Sequence, residues 1–306
     1  MKLQIVQYLY SGFDNILMSI SQILIFIFGG SMVLNKKMTA GEFTILSAYY
    51  NIAISSIRYF FDIGKQYQNV KVSYSRIQNL YNEPEEQNGS LYIKDINSIG
   101  LDKIDFSYNN KKIFNSFSYT FSKGNSYSVV GLNGSGKTTL LMIILGLFQP
   151  NSGEVKINNI SIKNLNMSEI RAKDISVIEQ NPTIINGTII SNINIINNDI
   201  NNQSTEKLLK NMELYINNKR LSEILNMEIN DDIENISGGE KQKIGIARAL
   251  IKPASIYIMD EPTSSLDKES NYFIKTKIKE LAKDAIVIVV THDEEISSIC
   301  DYCINL

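Results

Sequence analysis

Residues 16–34 form an uncharged apolar run, ILMSISQILIFIFGGSMVL. At about 1.5 Å per residue a helix here reaches close to the ~30 Å of a bilayer core. The run is too long for a secretory leader, and no clean small-residue cleavage site follows it. A weaker run occupies 43–61 and carries Arg58 near its end, where a long side chain can reach the interface. Joined by a short loop, the two runs predict a helical hairpin across a membrane; a buried amphipathic helix is the alternative for the second. Beyond Asp62 the positions Ile63, Tyr67, Val70, Tyr74, Ile77 and Leu80 recur at spacings of three and four, which extends the helix as an amphipathic stalk. Pro84 stops it, and 83–90 reads as an acidic linker rich in turn formers.

From Leu91 the pattern becomes short strands. Continuous apolar runs then fall at 126–130, 175–178, 255–259 and 286–290, the signature of a parallel sheet covered on both faces. A mostly helical insertion separates the second and third of these, opening with the Asn-rich stretch 192–202, read as a surface loop. The domains expected are therefore a membrane part at 1–82, a linker at 83–90 and an α/β domain at 91–306.

Composition adds limits. The 306 residues allow about two domains, and 30 Lys and Arg against 32 Asp and Glu give no basic excess for a nucleic-acid partner. Two Cys and one His exclude a disulfide framework and argue against a multi-His metal site. Cys300 and Cys303 form C-x-x-C, but they fall where the fold needs a helix end and a strand, so packing is the preferred reading over redox chemistry.

The sharpest chemistry is Gly131-Leu-Asn-Gly-Ser-Gly136-Lys137-Thr138-Thr139, which fits G-x-x-x-x-G-K-[ST] between an apolar strand and a helix start. Glycines let backbone N–H groups turn inward around phosphate oxygens, and the helix N-terminus adds positive potential. Asn133, Gly134, Ser135, Gly136 and Thr139 form this cradle with Gly131; Lys137 would reach the β and γ phosphates, and Thr138 would ligand Mg²⁺. The strand 255–259 ends in Asp260-Glu261, placing one carboxylate beside the metal and the second to orient or deprotonate a water. Ser237 with Glu240 is a capping box, and the same helix start, opened by Ser237-Gly238-Gly239, presents N–H groups to an anion.

Phosphate loop, Gln180, Ile-Ser237-Gly-Gly-Glu, Met-Asp260-Glu-Pro-Thr-Ser-Ser-Leu-Asp267 and Thr291-His292-Asp293 occur in the order of an ATP-binding cassette. The chain resembles an ABC transporter, specifically an exporter half with its last membrane helices fused to the cassette. Gly29-Gly30 and 38–42 carry the looser, amino-terminal part of that likeness. The resemblance implies an α/β P-loop NTPase fold with an antiparallel β subdomain and a helical subdomain, preceded by a transmembrane α-helical hairpin. It implies that Tyr108 stacks on adenine, that Gln180 contacts Mg²⁺ and the attacking water, and that His292 hydrogen-bonds the γ-phosphate. Ser237 and Gly239 would close over ATP held by another cassette, and Asp267 would sit at the interface. ATP and Mg²⁺ are the expected cofactors, and a second cassette, membrane lipid and further membrane helices from upstream sequence or another chain are the expected partners. Lys65, Lys71 and Arg76 after the second run, against Lys36 and Lys37 in the loop, bias the stalk toward the cytoplasm, and the nucleotide site puts the cassette on the cytoplasmic side of a cell membrane, where ATP is.

Two runs are fewer membrane helices than such a half carries, and 301–306 reads as a last strand cut short; both point to a fragment or to a separate membrane subunit. Asn230-Asp-Asp-Ile233 stands where exporters often have Gly-Glu-x-Gly. A truncated or regulatory cassette that binds ATP without transporting is therefore the alternative to an active exporter ATPase, and a soluble cassette is disfavoured by 16–34. The transported substrate stays open between peptide or bacteriocin, lipid and drug, with peptide preferred from the resemblance.

Overall fold

The apolar run 16–34 forms the C-terminal part of a first helix, α1 (Lys2–Leu34), and a five-residue turn leads to α2 (Ala40–Tyr81). The computed structural model describes residues 2–83, 85–108, 111–195, 202–212, 214, 224–229 and 236–306. Pro84, 196–201 of the Asn-rich stretch and Asn230-Asp-Asp-Ile233 lie outside them. Thr39 starts α2 by a capping box: Glu42 N–H donates to its hydroxyl at 3.2 Å, and Thr39 N–H donates to the Glu42 carboxylate at 2.8 Å.

The two helices run antiparallel. Phe26 meets Phe43 edge to face with centroids 5.6 Å apart, Tyr50 donates to Ser21 at 2.5 Å, and Arg58 donates to Asn15 at 3.1 Å. Gly29 is required at the top of this pairing, because a Cβ there would lie 2.3 Å from the Phe43 ring. The second run and the stalk are one continuous helix, as the periodicity predicts. Among the described residues only Asn15–Leu34 has the length and composition to cross a membrane by itself.

Met1–Glu85 and Glu86–Leu306 are two separate compact units. Within the second unit, the latter part of the expected linker and the first cassette residue are bonded in place: Gly89 and Leu91 donate to the carbonyls of Leu165 and Asn164, and Glu86 accepts from Arg171 at 2.6 Å. A Cβ on Gly89 would lie 2.0 Å from the Asn164 backbone, so this close approach needs glycine.

Strands β1 (Ser98–Tyr108), β2 (Lys111–Ser122), β4 (Ser152–Ile157) and β5 (Ile160–Ser161) make an antiparallel sheet in the order β2-β1-β4-β5. Between them β3 (Asn125–Val130) and α3 (Lys137–Ile144) begin the parallel layer. The chain continues through α4 (Met167–Asp174), β6 (Ile175–Ile178), β7 (Gly187–Thr188), α5 (Ile189–Ile193), α6 (Asn202–Asn211) and β8 (Glu228–Ile229), with β7 and β8 paired as a small antiparallel ribbon of their own. The chain closes with α7 (Gly238–Ile251), β9 (Ile256–Asp260), α8 (Lys268–Leu281), β10 (Ile286–Val290), α9 (Glu294–Ile299) and β11 (Tyr302–Asn305). The parallel sheet has the order β11-β3-β10-β9-β6 and contains all four runs read from the sequence.

Every residue of β10 is buried, as coverage on both faces demands. Alternate residues of β9 and β10 divide between two apolar layers. Ile256, Ile258, Ile286 and Ile288 pack with α3 and the antiparallel sheet. Tyr257, Met259, Val287 and Val289 pack with α5, α7 and α8. Asn192 differs from the surface loop expected of its stretch. It is buried in α5, where its side chain accepts from Ile185 N–H at 2.8 Å and donates to the carbonyls of Ile185 and Thr188.

Asp267 caps α8 by accepting Ser270 N–H at 2.8 Å and pairs with Lys243 at 2.5 Å. Partial burial pulls this carboxyl upward, but the bonds from Lys243 and Ser270 overcome it and lower the pKa to about 2. A depressed folded pKa stabilises fully above the ordinary value of about 3.9 and is lost as pH falls through the folded one. Asp267→Asn retains the cap and removes the charge, so it should lower stability at pH 7 by about 1 kcal/mol, discounted for the water-facing half of the side chain. The gap between variant and parent should narrow from pH 5 to pH 3 in urea unfolding of the purified chain; a pH-independent gap would refute the pairing.

Candidate functional site

A parallel sheet ends its strands on one edge, and here the register sets which residues share it. Val290 pairs with Asp260 on one side and with Val129 on the other, while Ile178 pairs with Met259. The loops after β3, β6, β9 and β10 therefore leave from the same edge, the place where open α/β sheets hold ligands. They enclose a cleft of about 590 Å³ lined by Asn133, Gly134, Gly136, Lys137, Thr138 and Thr139 from the glycine loop, Gln180, Asp260, Glu261 and His292 from the other strand ends, and Tyr108 from β1.

The glycine loop is built on left-handed turns. Gly134 has φ 81° and Gly136 φ 107°, and a Cβ on Gly136 would lie 2.5 Å from Ile113. Gly131 has φ 156°, and its Cβ would lie 2.7 Å from both the Leu306 carbonyl and Ser135 Oγ. Gly136 is the N-cap of α3 and offers no side chain to the first helical N–H groups, which leaves them for an anion. Lys137 is buried, and its ammonium donates to the carbonyls of Gly131 at 2.7 Å and Leu132 at 3.2 Å. The loop thus wraps its own cation.

On the facing side, burial raises the Asp260 carboxyl above the ordinary carboxylate range; Glu261 pushes the same way, and Lys137 opposes it. Glu261 occupies the left-handed region with φ 46°, a conformation that costs about 1–3 kcal/mol outside glycine and clusters at functional sites. Its N–H donates to Val290 O at 2.9 Å, and His292 Nε2 lies 3.6 Å from its Oε1. Glu261 Oε1 and Ser135 Oγ are two of eight buried side-chain oxygens without a hydrogen-bond partner among the described residues. An unpartnered buried carboxylate oxygen is expensive to keep and aims at something outside the chain. Tyr108 is half exposed, its ring perpendicular to those of Phe106 and Phe148.

The remaining expected residues do not line this cleft. Gly131 borders a neighbouring hollow with Leu132, and Gly238 borders another with Gln180 and Ser265. Ser237 is engaged within the chain: it donates to Glu240 at 2.7 Å and accepts from Glu240 N–H at 3.3 Å. Gly239 is held against the next loop, since a Cβ there would lie 2.7 Å from Ser265 O. Asp267 lies beside Lys243. Cys300 ends α9, Cys303 sits in β11, and both thiols are free; burial, helped by Asp301, pushes the Cys300 thiol up to about 11, which keeps it protonated and inert.

Several residues here escaped the sequence. Lys111 and Ile113 of β2 line the cleft, and their strand carries no motif. Gln242 and Lys243 are buried on a helix whose periodicity marks Ile244 and Ala247 as its inner face. Nothing in a single-face pattern exposes them, because α7 is covered on more than one side.

The family model described as ABC transporter matches residues 114–264. The chain is 28% identical to the Lactococcus lactis lactococcin-A transport/processing ATP-binding protein over 87% of its length and 37% of that protein. It is 30% identical to the ATP-dependent lipid A-core flippase 2 of Colwellia psychrerythraea, covering 85% of this chain and 45% of that one. It is also 28% identical to the Escherichia coli colicin V secretion/processing ATP-binding protein, covering 100% and 44%. The chain thus spans less than half the length of these relatives. A bacterial Atm1-family ABC exporter with ATP bound has the same fold, with TM-score 0.68 at 21% identity over 96% of this chain and 53% of that one. Residues gathered at one sheet edge and matched through 114–264 give a single conclusion: the chain belongs to the ABC transporter family and carries its ATP-binding cassette.

Proposed function

We infer that this chain is the ATP-binding and ATP-hydrolysing part of an ABC exporter, working at a membrane with the cassette on the cytoplasmic side. Its carrying observation is the single cleft that joins Lys137 and Thr138 of the glycine loop to Gln180, Asp260, Glu261 and His292. We divide the chain into a membrane part at 1–82, a linker at 83–90 and the cassette at 91–306. One relative is a lactococcin-A transport/processing protein and another a colicin V secretion/processing protein, and a peptide is our preferred cargo.

The glycine loop wraps the triphosphate with its N–H groups, and the buried ammonium of Lys137 trades its loop carbonyls for phosphate oxygens. Tyr108 offers its ring face to adenine. The donors fit Mg²⁺: a Thr138 hydroxyl, the Gln180 amide and a half-buried Asp260 carboxylate supply oxygen, and few protein carboxylates are needed when phosphates complete the shell. When bound, Mg²⁺ neutralises charge developing on the phosphates. Glu261 takes a proton from, or orients, the attacking water through its unpartnered Oε1, and His292 beside it hydrogen-bonds the γ-phosphate. In-line displacement of this kind rests on positioning and charge stabilisation.

Ser237, Gly238 and Gly239 stand outside the cleft of their own chain, which supports a head-to-tail dimer in which each signature helix start closes over the nucleotide of the other cassette. Asp267 would lie at that junction. Further membrane helices, from upstream sequence or another chain, complete the transporter. The intact set of six expected residues in the cleft disfavours a regulatory cassette without turnover.

Glu261→Gln should retain binding of a fluorescent ATP analogue and lower phosphate release by the purified transporter about a hundredfold or more; turnover equal to the parent would remove its role as base. Lys137→Ala should instead lose analogue binding, and chelation of Mg²⁺ with EDTA should abolish phosphate release in the parent. Intact-mass measurement of the complex from membranes should find two cassettes per assembly, and one cassette per active assembly would overturn the dimer.

A further inference from the structure

Gln242 is the second residue after Glu240 on α7 and is 1% exposed, yet it lines no part of the cleft. Its Nε2 donates to the Glu261 carbonyl at 3.1 Å and to Ser264 Oγ at 3.4 Å, and its Oε1 accepts Ser265 N–H at 3.0 Å. The orientation of the amide is fixed by these partners, since a carbonyl can only accept and a backbone N–H can only donate. One side chain thus spans the turn that follows Asp260. It grips the residue in the left-handed conformation at one end and the loop that packs on Gly239 at the other.

We propose that Gln242 is the positioning residue for Glu261, holding the carbonyl of that turn so that the Glu261 carboxylate faces the attacking water. The inference rests on the catalytic reading of Glu261 above. Three arguments carry it. The Glu261 backbone has left its ordinary region, so something must hold it there. The flanking bond from Glu261 N–H to Val290 O fixes the N-terminal side of the residue; on the C-terminal side its carbonyl accepts the turn bond from Ser264 N–H at 3.3 Å and the shorter bond from the Gln242 amide at 3.1 Å, which ties the turn to α7. Gln242 also stands on the helix that begins at Ser237, so the start of α7 and the water-orienting acid share one rigid body. That helix is clasped to the Gln180 loop as well, through Arg248 donating to Thr183 O at 3.0 Å and Gly245 against Pro182.

The test compares two near-isosteric variants in the transporter purified from membranes. Gln242→Met keeps the volume and loses every bond; Gln242→Glu keeps the acceptor but opposes a carboxylate to the Glu261 carbonyl. Each should lower kcat for ATP about tenfold or more, the loss that a buried hydrogen bond carries, with KM and fluorescent ATP-analogue binding within about twofold of the parent. In a Glu261→Gln background the same substitutions should produce little further loss of residual turnover, because their effect passes through Glu261. Retained kcat in both variants would overturn the proposal, as would an undiminished loss in the Glu261→Gln background or a loss confined to KM. Should Gln242→Met not assemble, Gln242→Glu carries the same comparison. Parent-like turnover by Glu261→Gln alone would instead remove the base assignment on which the proposal stands.

Discussion

The parallel register of three strands is the constraint on which the cassette depends. Backbone ladders hold Val129, Val290 and Asp260 side by side, and the alternation of buried side chains between two apolar layers selects that register. Once it is set, the glycine loop, the carboxylate pair and His292 have no other edge from which to emerge. The chemistry then needs only local adjustments: left-handed glycines to turn the loop, and a positive φ to swing Glu261 away from the strand direction.

The second organising part is α7. A surface helix uses one face, but Gln242, Lys243, Ile244, Gly245, Ile246 and Ala247 are consecutive buried residues. Its apolar side supports the helical layer, and its polar side holds the Glu261 turn and Asp267. The cap at Ser237 makes the start of this helix rigid, so it is presented as a finished surface.

Legibility of the sequence followed from how local each signal is. The glycine loop, Asp260-Glu261 and the four apolar strands depend on neighbouring residues, and all are found where the pattern places them. The capping box of Ser237 and Glu240 was equally local, and both of its bonds form. What was hidden depends on tertiary neighbours. Gln242 and Lys243 look like the wet side of an amphipathic helix until a second set of loops covers them. Lys111 and Ile113 reach the cleft only because β2 crosses over the phosphate loop. Asn192 sits in a polar stretch, and its burial is set by the carbonyls it satisfies.

The alternation along β9 and β10 has a mechanical meaning. Ile258 and Met259 share a peptide bond but belong to different apolar layers, so the layers communicate through the strand itself. Close-packed interiors do not absorb a volume change by flowing. A displacement of helices on one face must slide or tilt the strand, and the strand ends in the residues of the cleft. The sheet is in this sense a lever plate, whose tip registers packing on both of its faces at once.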